Sequence, residues 1–212
     1  MKLTSKLILA LSLIAATVVA LVGVWIGTSI PRTPTSQSAI VGKAIRTGTP
    51  AIGGPFTLVS TSGESVTDQN FRGKWLLIFF GYTSCPDLCP MALANVSAAL
   101  EKFGPDTSLL QPLFITVDPE RDTPEHLKEY LPLFHPRLIG LTGETSAIRV
   151  AADAYKVYYT KVPNKQGENY TVDHTAFIYL MGADGSYVGF FPPGTSPDRI
   201  AETLRKELAQ HP

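Results

Sequence analysis

Six consecutive apolar residues, WLLIFF at 75–80, run straight into GYTSCPDLCP. A strand with one wet face alternates apolar and polar residues. This run does not alternate, so both of its faces are covered, as in the middle of an α/β sheet. The segment that follows carries both cysteines of the 212-residue chain, Cys85 and Cys89. Ligands of open α/β sheets gather at the carboxyl ends of strands. The thiol pair is therefore expected at the edge of the sheet where sites form.

The rest of the carboxyl part agrees with that class. Phe56–Ser60 and Ser65–Thr67 flank a Ser-Gly-Glu turn and read as a hairpin. Residues 91–103, MALANVSAALEKF, have helical composition and stop at Gly104-Pro105. Pro112–Val117 is a second strand. Thr123, Pro124 and Glu125 open a helix as cap, first residue and first-turn acid. Leu138–Leu141 reads as a short strand and Glu144–Tyr155 as a helix capped by Thr142 or Gly143. Thr175–Met181 and Tyr187–Phe191 form a hairpin through GADGS, and Ser196–Gln210 closes the chain as a helix with Pro197 first. Strands alternating with helices imply an α/β domain, a central mixed sheet flanked by helices, over residues 51–212.

The amino end reads differently. Residues 7–30, LILALSLIAATVVALVGVWIGTSI, hold no charge. That suits a transmembrane helix, which needs about 20 apolar residues, better than a secretory leader, whose apolar part runs about 7–15. Lys2 and Lys6 before the run are nearly balanced by Arg32, Lys43 and Arg46 after it. The short basic start has the form of a signal-anchor, with residues 1–6 cytoplasmic and the carboxyl part exported. Absence of an Arg- and Ser-rich presequence argues against an organellar transit peptide. The expectation is a bacterial inner-membrane protein with its soluble domain in the periplasm. Residues 31–50, rich in Pro, Ser, Thr and Gly, read as a flexible linker. With 18 acidic and 18 basic residues and no basic stripe, nucleic acid is not an expected partner.

Pro90 bears on the local fold of the thiol pair. In a helix begun at Cys85 it would lie too deep, so the regular helix is expected to begin near Pro90, with Cys89 at its cap. Both sulfurs would then sit near the positive end of the helix dipole, which favours thiolate. Three readings follow: a structural disulfide, a metal-free dithiol redox pair, or part of a metal site. A bridge closing so small a loop restrains little of the unfolded chain. A metal site needs a third ligand. His126, His135 and His211 read as surface histidines, whereas His174 stands in YTVDHTAFIYL at the entrance of an apolar strand, beside Asp173.

Taken jointly, GYTSCPDLCP, FITVDPERDTPEHLKEY and DHTAFIYLMGADG resemble the Sco/SenC family of membrane-anchored copper chaperones, which assist assembly of the binuclear copper centre of cytochrome c oxidase. The resemblance implies a thioredoxin-like fold and a copper site made of Cys85, Cys89 and His174. The implied partners are the oxidase's copper-bearing subunit and another periplasmic copper chaperone as donor. Two thiolates and an imidazole suit Cu(I) and accommodate Cu(II), although zinc also accepts such a set. Asp173 reads as an orienting partner of His174 or, by slight preference, as a solvated acid. Asp118 is expected at the sheet edge, Asp122 and Thr123 as loop and cap residues, and Met91 as a core methionine rather than a thioether ligand. A thiol–disulfide reductase, with Cys85 attacking and Cys89 resolving, is the alternative function. A peroxidase is a third reading, weakened by the lack of an obvious arginine beside the thiol.

Overall fold

The computed structural model describes residues 51–163 and 170–210. The expected anchor at 7–30 and linker at 31–50 lie outside the described residues. Among the described residues no helix is long and apolar enough to cross a membrane.

The apolar runs do become the centre of the sheet. β3 (Trp75–Gly81) and β4 (Leu110–Thr116) are buried along their whole length and pair in parallel, Ile78 opposite Leu113. β1 (Thr57–Ser60) and β2 (Ser65–Thr67) form the expected hairpin. β5 (Ile139–Thr142) joins β4 in parallel and β1 in antiparallel fashion. β8 (Ile178–Met181) runs antiparallel to β3, and β9 (Tyr187–Phe191) closes the far edge. The order β2-β1-β5-β4-β3-β8-β9 is a seven-stranded mixed sheet. Pro112 is tolerated in β4 because β5 begins opposite Leu113, one residue later.

α1 (Leu88–Phe103) connects β3 to β4, and α2 (Pro124–Tyr130) connects β4 to β5. Two right-handed crossovers stepping the same way along a sheet put both helices on one face. Packing agrees. A methyl at Gly81 would meet the Cys89 sulfur, and one at Gly140 would meet Leu127 of α2. Phe80, which alternates with Phe79 along β3, turns to the other face and packs on Tyr155 at the end of α3 (Thr145–Ala154). α4 (Pro197–Gln210) packs against α1. The expected mixed sheet with flanking helices is therefore present.

Two local expectations are corrected. α1 begins at Leu88 with Asp87 at the cap, not near Pro90. The first helical bond runs from the Met91 N–H to the Asp87 carbonyl, so Pro90 lies where no N–H is required. α3 is capped at Glu144, because Thr142 is still part of β5. One element was not expected at all. β6 (Tyr159–Pro163) and β7 (Tyr170–His174) form a separate antiparallel pair, Tyr159 opposite His174. His174 therefore ends a hairpin strand instead of entering β8, which starts four residues later. The signal for β7 is the period-two pattern of YTVDH, with Val172 buried between exposed Thr171 and Asp173.

Candidate metal centre

β3 carries the chain to the carboxyl edge of the sheet, and a turn closed by the Cys85 N–H on the Tyr82 carbonyl folds it back over the start of α1. Cys85 is half-buried there and Cys89 is fully buried; both are free thiols. Asp87 makes no side-chain capping bond. The Cys89 N–H instead points at the Cys85 sulfur, 3.4 Å away, so a sulfur takes the place of the usual capping oxygen. A partly positive helix end favours the thiolate at such a position.

The third member comes from β7. His174 Nε2 lies 3.4 Å from the Cys89 sulfur. Its Nδ1 is 3.0 Å from the carbonyl oxygen of Thr175. A carbonyl only accepts, so this bond puts the ring proton on Nδ1 and leaves the Nε2 lone pair facing the sulfurs. Phe79 and Tyr82 meet the imidazole edge-on, at 6.1 and 5.8 Å between centroids, and limit its rotation. The ligand atoms of Cys85, Cys89 and His174 all lie within 4.8 Å of one another. The group faces a cleft of about 370 Å³ lined by Tyr82, Pro86, Leu88 and Val172.

The two thiols differ in acidity. The Cys89 thiol beside it and the backbone N–H groups at the helix start outweigh burial and lower Cys85 to about 3. The same contact between the sulfurs, reinforced by burial, pushes the Cys89 thiol far up. The pair is thus one accessible thiolate backed by one buried thiol.

The remaining candidates separate. Asp173 is exposed, in keeping with a solvated acid, and the Thr175 carbonyl orients the His174 ring. Met91 is 40% exposed and not a core residue. His126 is exposed as expected, but its Nε2 lies 3.0 Å from the Thr83 hydroxyl. His135 is buried, not on the surface, with Nδ1 accepting from the Arg137 N–H. His211 lies outside the described residues. Thr123 caps α2 as expected, accepting from the His126 N–H. Asp122 is more than a loop residue. Fully buried, it accepts from the Thr83 N–H at 3.1 Å, the Thr83 hydroxyl at 2.5 Å and the Thr116 hydroxyl at 2.7 Å. It thereby ties the cysteine loop to β4. Its spacing behind the strand was the sequence signal; its burial was not legible.

Fold and site together define a class: a mixed α/β domain that presents two thiols and an imidazole at the mouth of its sheet, suited to soft-metal or thiol chemistry. The chain belongs to the SCO1/SenC family, whose model matches residues 45–209. It is 43% identical over 163 residues to the human mitochondrial protein SCO1 homolog, covering 76% of this chain and 54% of that one. It thus spans about half the length of that relative. Bradyrhizobium japonicum ScoI, solved with copper bound, is 47% identical with a TM-score of 0.69, over 74% of this chain and 99% of that one. BsSco, in which a disulfide switch was identified, is a member of the Sco family of cytochrome c oxidase assembly proteins. It is 25% identical with a TM-score of 0.58, over 74% of this chain and 92% of that one.

Proposed function

We propose that this protein is a membrane-anchored copper chaperone that takes up one copper ion through Cys85, Cys89 and His174 and delivers it to the binuclear copper site of cytochrome c oxidase. The observation that carries this reading is the approach of three soft-to-borderline ligand atoms within 4.8 Å at an open cleft. Thiolate sulfur and imidazole suit Cu(I) and also accept Cu(II). Three protein ligands leave a position free, which lets an acceptor's sulfur or nitrogen enter before the chaperone's ligands leave. His174 sits at the end of a separate hairpin, so it can be withdrawn without disturbing the sheet. The chain's residues 7–30 serve as the anchor, 31–50 as the tether, and 51–212 work in the periplasm on the oxidase's copper-bearing subunit, supplied by another periplasmic copper chaperone.

Uptake of copper by the reduced full chain tests the reading. One ion per chain is expected, with thiolate-to-copper charge-transfer absorption after Cu(II) addition. Loss of either cysteine or of His174 should weaken that absorption. Unchanged spectra in the His174→Ala chain contradict the site.

A second reading is favoured by the accessible thiolate at Cys85. It can attack a disulfide of the target subunit, forming a mixed disulfide and releasing one target thiolate. Cys89 then gives up its proton and attacks the Cys85 sulfur, leaving an internal disulfide and a fully reduced target. Copper uptake needs the reduced pair, so after each exchange an external dithiol reductant has to restore both thiols before the same sulfurs take up copper. His174→Ala should spare this exchange while impairing copper delivery.

A further inference from the structure

The stretch between β4 and α2 contributes no ligand to the centre, yet it grips both pieces of it. Asp122 holds the loop that leads to Cys85, as described above. Asp118 and Arg121 hold the other piece through Tyr170, the first residue of β7. Asp118 is fully buried. One of its carboxylate oxygens accepts from the Tyr170 hydroxyl at 2.7 Å, and the other accepts from Arg121 Nε. Arg121 Nη1 donates to the Tyr170 carbonyl at 3.2 Å. The guanidinium lies 4.0 Å from the Tyr170 ring centroid and 5.6 Å from that of Tyr82, the ring that meets His174 edge-on. On the outer side, Lys161 of β6 pairs with Glu120 at 2.6 Å and lies 4.6 Å from the Tyr170 ring.

Among the described residues the β6–β7 hairpin has no strand pairing with the seven-stranded sheet. A two-stranded hairpin is at best marginally stable by itself, so its placement depends on how it is held against the rest of the domain. At the base the two strands are closed on each other by Thr175, whose N–H donates to the Tyr158 carbonyl and whose hydroxyl accepts from the Tyr158 N–H, and Tyr159 and Val172 are buried in the core. The other end is held at Tyr170, about 13 Å along the strand from His174. With that end free, β7 can shift against the sheet and carry His174, its last residue, with it. We propose that Asp118 and Arg121 are positioning residues for metal retention. By gripping Tyr170 they fix the hairpin against the sheet and keep the His174 imidazole beside the two sulfurs. The metal readout of this proposal rests on the copper reading above; its hairpin readout does not.

The test uses the reduced full chain with Arg121→Ala, Arg121→Lys and Tyr170→Phe, each also made with His174→Ala. Two quantities are read: amide hydrogen exchange in β6 and β7, and the rate of Cu(I) loss to a competing chelator. Arg121→Ala is expected to speed hairpin exchange while leaving β3 and β4 unchanged, and to accelerate copper loss about 10–100-fold, the range found when partners that orient a metal ligand are removed. Arg121→Lys keeps the charge but not the two-point grip and should fall between. Tyr170→Phe removes only the hydroxyl bond, keeps Asp118 paired, and should show the same effect in smaller measure. It carries the test if Arg121→Ala fails to fold. In the His174→Ala background the acceleration should vanish, since the residue acted through is gone. Equal acceleration with and without His174, or unchanged hairpin exchange, overturns the proposal. A wild-type chain that takes up no copper overturns the copper reading instead, and hairpin exchange then decides the positioning role alone.

Discussion

Gly81 ends β3 directly beneath the buried sulfur, and the space around it makes a sharp prediction. A methyl added there would lie 2.8 Å from a Phe79 ring carbon, 3.0 Å from the Cys89 sulfur and 3.0 Å from a Phe114 ring carbon. Ordinary contact begins at 3.4 Å, so the shortfalls are 0.6 Å (3.4 − 2.8) and twice 0.4 Å (3.4 − 3.0). Phe79 and Phe114 are 2% and 0% exposed, so neither ring can swing out to water. What yields is the start of α1 with Cys89. Overpacking of this kind costs about 1–3 kcal/mol. With a urea slope of about 1–3 kcal/mol per molar, Gly81→Ala should lower the unfolding midpoint of the reduced, metal-free protein by roughly 1 M. Copper should also be held less tightly, because the sulfur is pushed from its place 3.4 Å from His174. Phe79→Leu returns part of the space, so the double variant should be more stable than the sum of the two single changes implies. An unchanged midpoint in Gly81→Ala, together with unchanged copper competition, would refute the close packing under Cys89.

Further outcomes follow from the charges and protons of the site. With Cys85 lowered to about 3, its alkylation rate should stay nearly flat from pH 8 down to pH 5, whereas a free thiol near 8.5 slows about tenfold per unit; a tenfold fall per unit at Cys85 contradicts the accessible thiolate. Nitrogen-15 shifts of His174 in the metal-free chain should report the proton on Nδ1, where the Thr175 carbonyl accepts it; an Nε2–H form contradicts the aimed lone pair. Burial raises the Asp122 carboxyl. Its contribution to stability is therefore fully present below the unfolded value of about 3.9 and is lost as pH rises through the higher folded value. Asp122→Asn should flatten that part of the stability–pH curve measured by urea titration, and an unaltered slope argues against the shift. Thr83→Val removes the hydroxyl that Asp122 accepts at 2.5 Å and should cost about 1–3 kcal/mol by the same unfolding assay.

Much of this was legible in the residues because local rules and burial agreed. WLLIFF and the Leu110–Thr116 run are apolar without alternation, and both became central parallel strands. Thr123-Pro124 announced α2, and Pro197 announced α4. The three-residue metal set came from the family resemblance, and the structure brings those side chains together. What failed was long-range. Nothing in YTVDH says that Tyr170 will meet Asp118, a partner 52 positions earlier, so the hairpin and its attachment were missed. Asp122 looked like a loop acid because its burial depends on Thr83, 39 residues away. Pro90 lies two residues inside α1 instead of opening it, because the whole first turn lacks N–H partners and proline fits anywhere in it.

The account depends on a single ion bound by both sulfurs and the imidazole of one chain. X-ray absorption of the Cu(I)-loaded protein measures that directly. Two sulfur scatterers and one nitrogen scatterer per copper are expected, with the nitrogen lost in His174→Ala. Copper bound by sulfur alone in the wild-type chain, or a spectrum indifferent to His174, would contradict it.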